Sequence, residues 1–166
     1  MTAARQQRKS RLALAAIFGF AFCGGIFVPA ALRAATNKPT AVNSLTGLAI
    51  SGFDPVAFFT DGKPEFGQPD MELSLGGAVW RFRNEGNRAA FSEHPDVYMP
   101  RFGGYDPVAI ARGTSVPGHP LFWAVTGGRL YLFYSDTARA AFVAEPGRII
   151  EAAERKWLEV ARTIGR

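Results

Sequence analysis

The feature that most constrains this chain is that it says nearly the same thing twice. Gly52-Phe53-Asp54-Pro55-Val56-Ala57 returns as Gly104-Tyr105-Asp106-Pro107-Val108-Ala109, 52 residues later. One residue then drops out, and matches continue at an offset of 51. Gly62 answers to Gly113, Gly67 and Pro69 to Gly118 and Pro120, and Gly76-Gly77 to Gly127-Gly128. Phe82 answers to Phe133, Arg88-Ala89-Ala90-Phe91 to Arg139-Ala140-Ala141-Phe142, and Pro95 to Pro146. Two units are too few for a solenoid, so the expectation is one domain of two pseudo-symmetric halves. The halves cover about 51–100 and 103–148.

Each half can be read physically. Asp followed by Pro starts a helix: the carboxylate caps free backbone N–H groups, and proline at the first helical position sacrifices nothing. The helix is short and ends near Gly62 or Gly113. A strand follows, Met71 to Leu75 or Leu121 to Val125. The Gly-Gly pair suits the positive φ angles of a tight hairpin. The return strand runs from Val79 to Phe82 or from Leu130 to Tyr134, and a second helix carries Arg-Ala-Ala-Phe, from about Asn87 to Glu93 and about Thr137 to Ala144. The fold class is α+β, two α-β-β-α halves expected to share one antiparallel sheet. Both faces of Leu130 to Phe133 are apolar, which suits a strand covered on both sides. From Gly147 onward, Ile149, Ala153, Trp157, Ala161 and Ile164 form one apolar face of a C-terminal helix over about 147–164.

Charge separates the N-terminus from the rest. The first 35 residues hold five of the 19 basic residues (Arg5, Arg8, Lys9, Arg11 and Arg33) and no acidic one, so the remaining 14 basic residues balance all 14 acidic ones. That balance gives the rest of the chain no basic character for nucleic acid. An uncharged, mostly apolar run from Leu12 to Leu32 follows the basic cluster. Residues 1–33 therefore read as a signal peptide, with Val28-Pro29-Ala30 as a small-residue cleavage site, or as a single-pass anchor associating with the membrane through residues 12–32. Either reading puts the bulk of the chain outside the cytoplasm, in a periplasmic or comparable compartment, secreted or tethered to the inner membrane. There is no Arg-Arg pair for a twin-arginine signal, and Phe22 before Cys23 argues against lipidation. Residues 34–44 read as a linker and 45–166 as the domain.

Cys23 is the only cysteine and lies in the targeting run. The rest of the chain thus offers no disulfide, thiolate nucleophile or thiolate ligand. No Gly-x-Ser-x-Gly elbow is present, and Ser51, Ser74, Ser92, Ser115 and Ser135 have no evident base beside them. The reading is that the chain is not an enzyme.

The two halves together resemble the YHS domain family over about Ser51 to Leu158. The resemblance rests on Gly52-Phe53-Asp54-Pro55-Val56-Ala57-Phe58-Phe59, Asn87-Arg88-Ala89-Ala90-Phe91, Pro95-Asp96-Val97-Tyr98-Met99-Pro100, Gly103-Gly104-Tyr105 and Gly128-Arg129-Leu130-Tyr131-Leu132. It implies a small extracytoplasmic binding domain, with a metal ion, copper in particular, as its associated cofactor. Members of that kind carry Gly-Gly-Tyr-Cys-Ala; here Asp106 and Pro107 stand where Cys-Ala is expected. An oxygen ligand suits a harder ion than Cu(I). The metal candidates are then Asp106, His94 and His119. Each also has a plain structural reading: Asp106 as a helix cap like Asp54, His94 as a charge at a helix C-terminus, and His119 as a turn residue twinned with Gln68. Gly52, Asp54, Pro55, Gly104, Tyr105, Asp106 and Pro107 are motif residues with a structural role. Two functions stay open: a domain binding a metal ion or a small ligand in a groove between the halves, and a membrane-tethered accessory subunit of a membrane protein complex.

Overall fold

In the computed structural model, residues 39–164 are described. The targeting or anchor segment expected over 1–33 lies outside them. Helix and strand are mixed, consistent with an α+β class, and among the described residues no helix is long and apolar enough to cross a membrane.

The first half contains α1 (Ala57–Thr60), β1 (Gln68–Leu75), β2 (Ala78–Phe82), α2 (Glu85–Glu93) and the short α3 (Pro95–Tyr98). The second contains α4 (Pro107–Ala111), β3 (His119–Thr126), β4 (Arg129–Phe133) and α5 (Asp136–Ala144), and α6 (Pro146–Ala161) closes the chain. Each hairpin turns on two glycines with positive φ: 64° and 80° at Gly76 and Gly77, 58° and 68° at Gly127 and Gly128. Asn84 and Ser135 cap α2 and α5 by accepting from the Asn87 and Ala138 amides.

The duplication is geometric as well as textual. Trp80, Phe82 and Phe91 form an aromatic triad, and Tyr131, Phe133 and Phe142 form its twin. Ring centroids of Trp80–Phe91 and Tyr131–Phe142 both stand 4.9 Å apart at 39°. Phe82–Phe91 and Phe133–Phe142 stand 5.2 and 5.0 Å apart. Such pairs each add about 0.5–1.5 kcal/mol beyond the area they bury. Even an irregularity is repeated: the ladder shifts register between Gln68 and Glu72, and again between His119 and Trp123.

The halves do not share one sheet, contrary to the sequence expectation. Each hairpin is its own two-stranded antiparallel sheet. The reason lies at the edges. β2 has β1 on one side, and on the other the Ala49 amide donates to the Val79 carbonyl (2.8 Å) while the Val79 amide donates to the Gly47 carbonyl (3.1 Å). The Val79 groups on that edge are thereby taken, and no strand of the second hairpin pairs there. The hairpins meet through side chains instead. Leu130 and Leu132 of β4 enter the first core, with Ile50, Phe53, Phe58, Trp80, Phe82 and Phe91. Tyr131 and Phe133 enter the second, with Phe102, Tyr105, Ile110, Phe142 and Ile149. β4 is thus buried on both faces, as its apolar run predicts. β2 buries only alternate residues, Ala78, Trp80 and Phe82.

Other details differ from the sequence reading: β1 and β3 start earlier, at Gln68 and His119, and α6 ends at Ala161. Residues 39–44 lie on the domain rather than leading up to it: the Ala41 amide donates to the Gly103 carbonyl (2.7 Å), and Val42 bridges to Ala49. The apolar face of α6 buries Val160 rather than Ala161, with Ile149 and Ala153. Each half also opens with an unforeseen 3₁₀ turn, Ile50–Gly52 and Arg101–Gly104, holding left-handed backbone at Ile50, Ser51, Phe102 and Gly103.

Candidate functional site

The motif residues build a pair of internal ties. After the left-handed turn, the Gly52 and Gly104 carbonyls accept from the Gly67 and Gly118 amides, both at 2.9 Å. The Asp54 and Asp106 amides donate to the Glu65 and Val116 carbonyls, both at 2.8 Å. The two carboxylates then turn inward. Asp54 is 0% exposed and Asp106 2%. Asp54 Oδ1 accepts from the Val56 amide (2.8 Å), and its Oδ2 accepts from the Arg83 amide (2.8 Å) and Asn87 Nδ2 (2.7 Å). Asp106 Oδ1 accepts from the Val108 and Ala109 amides (2.7 and 3.4 Å), and its Oδ2 accepts from the Tyr134 amide (3.0 Å). Each carboxylate therefore ties the start of a short helix to the chain just beyond the return strand. Pro55 and Pro107 are buried beside them. In the first half the helix is assigned only from Ala57, so Pro55 precedes it. Pro107 opens α4 as expected.

These bonds bear on the metal candidates. Asp106 commits both oxygens to backbone N–H groups. His119 accepts from the Leu121 amide at Nδ1 (3.2 Å) and stacks near Phe122, with ring centroids 5.9 Å apart. It begins β3, as its twin Gln68 begins β1, so the position is a strand start at the bulge rather than a turn. His94 sits at the C-terminal end of α2, with its side chain 59% exposed and 3.8 Å from Glu93. The three are not brought together: among the described residues no three His, Cys, Asp or Glu side chains form a group able to hold a metal ion. This donor set does not fit copper.

What the structure does assemble is a groove between the halves, a cavity of about 520 Å³. The first half supplies Leu75 and Gly76 from the hairpin turn, Trp80 from β2, and Met99 beyond α3. The second supplies Arg101 and Phe102 from its opening turn, Arg129 from β4 and Trp157 from α6, and Thr40 comes from the N-terminal segment. Trp157, expected on the apolar face of the last helix, packs edge-on against Phe102 (5.6 Å between centroids) and also faces this space. Both arginines are anchored. Arg101 pairs with Glu154 (2.6 Å) and lies over the Phe102 ring, and Arg129 donates to the Asp96 carbonyl. The sequence placed a ligand groove between the halves but did not single out Arg101, Arg129 or Met99. Met99 and Arg129 lie inside motifs that carry the family resemblance and Arg101 lies between them, but nothing in one dimension marks any of the three as facing a groove.

Beneath this region, burial holds the Tyr105 and Tyr131 phenols above their usual range. At Tyr131 the nearby Arg101 charge opposes that rise and Glu154 adds to it. Once unfolded, these phenols release their protons near pH 10, whereas the folded ones keep theirs. Their contribution to stability is therefore complete below about pH 10 and is lost as pH climbs toward the folded values. A spectrophotometric tyrosinate titration followed alongside circular dichroism should show part of the four-tyrosine signal appearing only as the fold is lost. Four tyrosines titrating together with the fold intact would contradict this.

No family model, curated protein or solved structure matches the chain.

Proposed function

We propose that this is a non-enzymatic extracytoplasmic YHS-like binding domain, and that the groove between its halves holds a small, largely apolar ligand. The observation that carries the reading is the groove itself. Its volume of about 520 Å³ falls within the roughly 300–1,000 Å³ of small-molecule sites. Met99 and Trp157 offer apolar faces with Trp80 and Phe102 buried behind them, while Arg101 and Arg129 mark its polar points. Among the readings opened by the sequence, this supports small-ligand binding over metal binding, whose candidate residues point to separate structural tasks.

Two of the three tryptophans line the groove, which gives a built-in reporter. Titrating the full-length chain with a flat apolar probe, 2-naphthol, should change tryptophan fluorescence saturably. Met99→Lys, which places a charge on the wall, should weaken that response about tenfold or more. An unsaturable response, or one indifferent to Met99→Lys in a folded variant, would remove the reading.

A further inference from the structure

The twin halves differ at one corner of an otherwise similar frame. In the first half, Asp54 Oδ2 accepts two bonds, from the Arg83 amide and from Asn87 Nδ2. The Arg83 side chain also pairs with Asp61 at the end of α1, so the corner is both filled and bridged. All three of these partners are changed in the second half. Ala138 stands for Asn87, Tyr134 for Arg83 and Arg112 for Asp61. The structural frame is unchanged: Tyr134 still donates its amide to the aspartate, Ala138 still takes its own cap from Ser135, and Arg112 still ends the short helix. What is missing is the side-chain donor and the bridge. Asp106 Oδ2 is left with the Tyr134 amide alone among the described residues. Arg112 has no carboxylate within ion-pairing distance among them.

The space so vacated is a hollow of about 320 Å³ lined by Asp106, Arg112, Thr114, Ser135, Thr137 and Ala138, among others. It is separate from the groove, with which it shares no lining residue. Asp106 is 98% buried, and its Oδ2, holding one bond where its twin holds two, has room for a further N–H donor, which bonds most strongly when charged. Arg112, exposed on the same wall and without an ion-pair partner among the described residues, is free to meet a carboxylate.

We propose that this hollow binds a small amino-acid-like zwitterion, its ammonium taking on Asp106 Oδ2 the place that the Asn87 amide takes on Asp54, and its carboxylate facing Arg112.

The test is an amide-resolved NMR titration of the ¹⁵N-labelled full-length chain with glycine, methylamine and acetate. Glycine should shift the Tyr134 and Ala138 signals saturably, methylamine should bind about tenfold more weakly, and acetate should not bind there. Ala138→Asn restores the chain's own amide and should abolish the glycine response. Ala141→Leu fills the hollow from an exposed helical position and should do the same, which keeps the test sound if the first variant folds poorly. Arg112→Gln should bring glycine down to the level of methylamine. The proposal is overturned by the absence of any glycine shift at these amides, by acetate binding as well as glycine, or by a glycine response that persists in folded Ala138→Asn or Ala141→Leu.

Discussion

Replacing Asp54 with alanine is expected to leave the domain barely folded. The carboxylate is fully buried and satisfies three donors: two backbone amides and the Asn87 side chain. Each buried donor left unmet costs about 1–3 kcal/mol. A combined loss of about 3–5 kcal/mol follows, against a total stability of about 5–15 kcal/mol for a domain of this size. Asp106→Ala should cost less. One of its three bonds is long, at 3.4 Å, and no side chain depends on it. Urea unfolding followed by circular dichroism measures both. Equal losses, or a loss below about 1 kcal/mol at Asp54, would show that these carboxylates are not the ties they look to be.

The second large effect concerns Gly67 and Gly118. A Cβ on Gly67 would stand 2.3 Å from the Arg81 carbonyl carbon and 2.5 Å from the Phe82 amide nitrogen. A Cβ on Gly118 would stand 2.6 and 2.7 Å from Leu132 Cβ and its carbonyl carbon. These neighbours are mostly backbone of the return strand, which cannot turn aside as a flexible side chain can. Forcing such an overlap costs about 1–3 kcal/mol in ordinary cores and more where the backbone must move. Gly67→Ala and Gly118→Ala should each lower the melting temperature by about 10 °C or more. Gly62→Ala is the control, because its Cβ would meet nothing within 4 Å; it pays only for its left-handed backbone, about 1 kcal/mol. If all three variants melt alike, close strand approach is not what keeps these glycines.

Much of this architecture was legible because repetition supplied a second reading of every signal. Asp-Pro before a short apolar run is an ordinary helix start when seen once. Seen twice, with Gly-Gly at the same later distance, it fixes the α-β-β-α order of both halves. The two-sided burial of β4 was legible too, since four consecutive apolar residues leave no solvent face. The separation into two sheets was not. It depends on Gly47–Ala49 occupying an edge of β2, and those residues carry no strand signal of their own. The left-handed backbone at Ile50 was equally hidden, because a β-branched residue is among the least suited to that conformation.

The candidate sites divide the same way. A groove between two halves follows from having two halves, but its lining comes from five separated stretches that only folding brings together. The hollow at Asp106 depends on what is absent. Its signals were already in the repeat alignment, where Asn87, Arg83 and Asp61 face Ala138, Tyr134 and Arg112, mismatches that read as ordinary drift until Asn87 is seen donating to Asp54 and Arg83 pairing with Asp61.

The strand with two buried faces carries a consequence for inheritance. On β2, Val79 and Arg81 are only partly buried, and their positions can drift while the first core is kept. On β4, Leu130 and Leu132 answer to one core and Tyr131 and Phe133 to the other. Neighbouring residues there are held by opposite halves of the molecule, and no position between them is free. A duplication begins with two equal copies, and here one strand has become the common property of both.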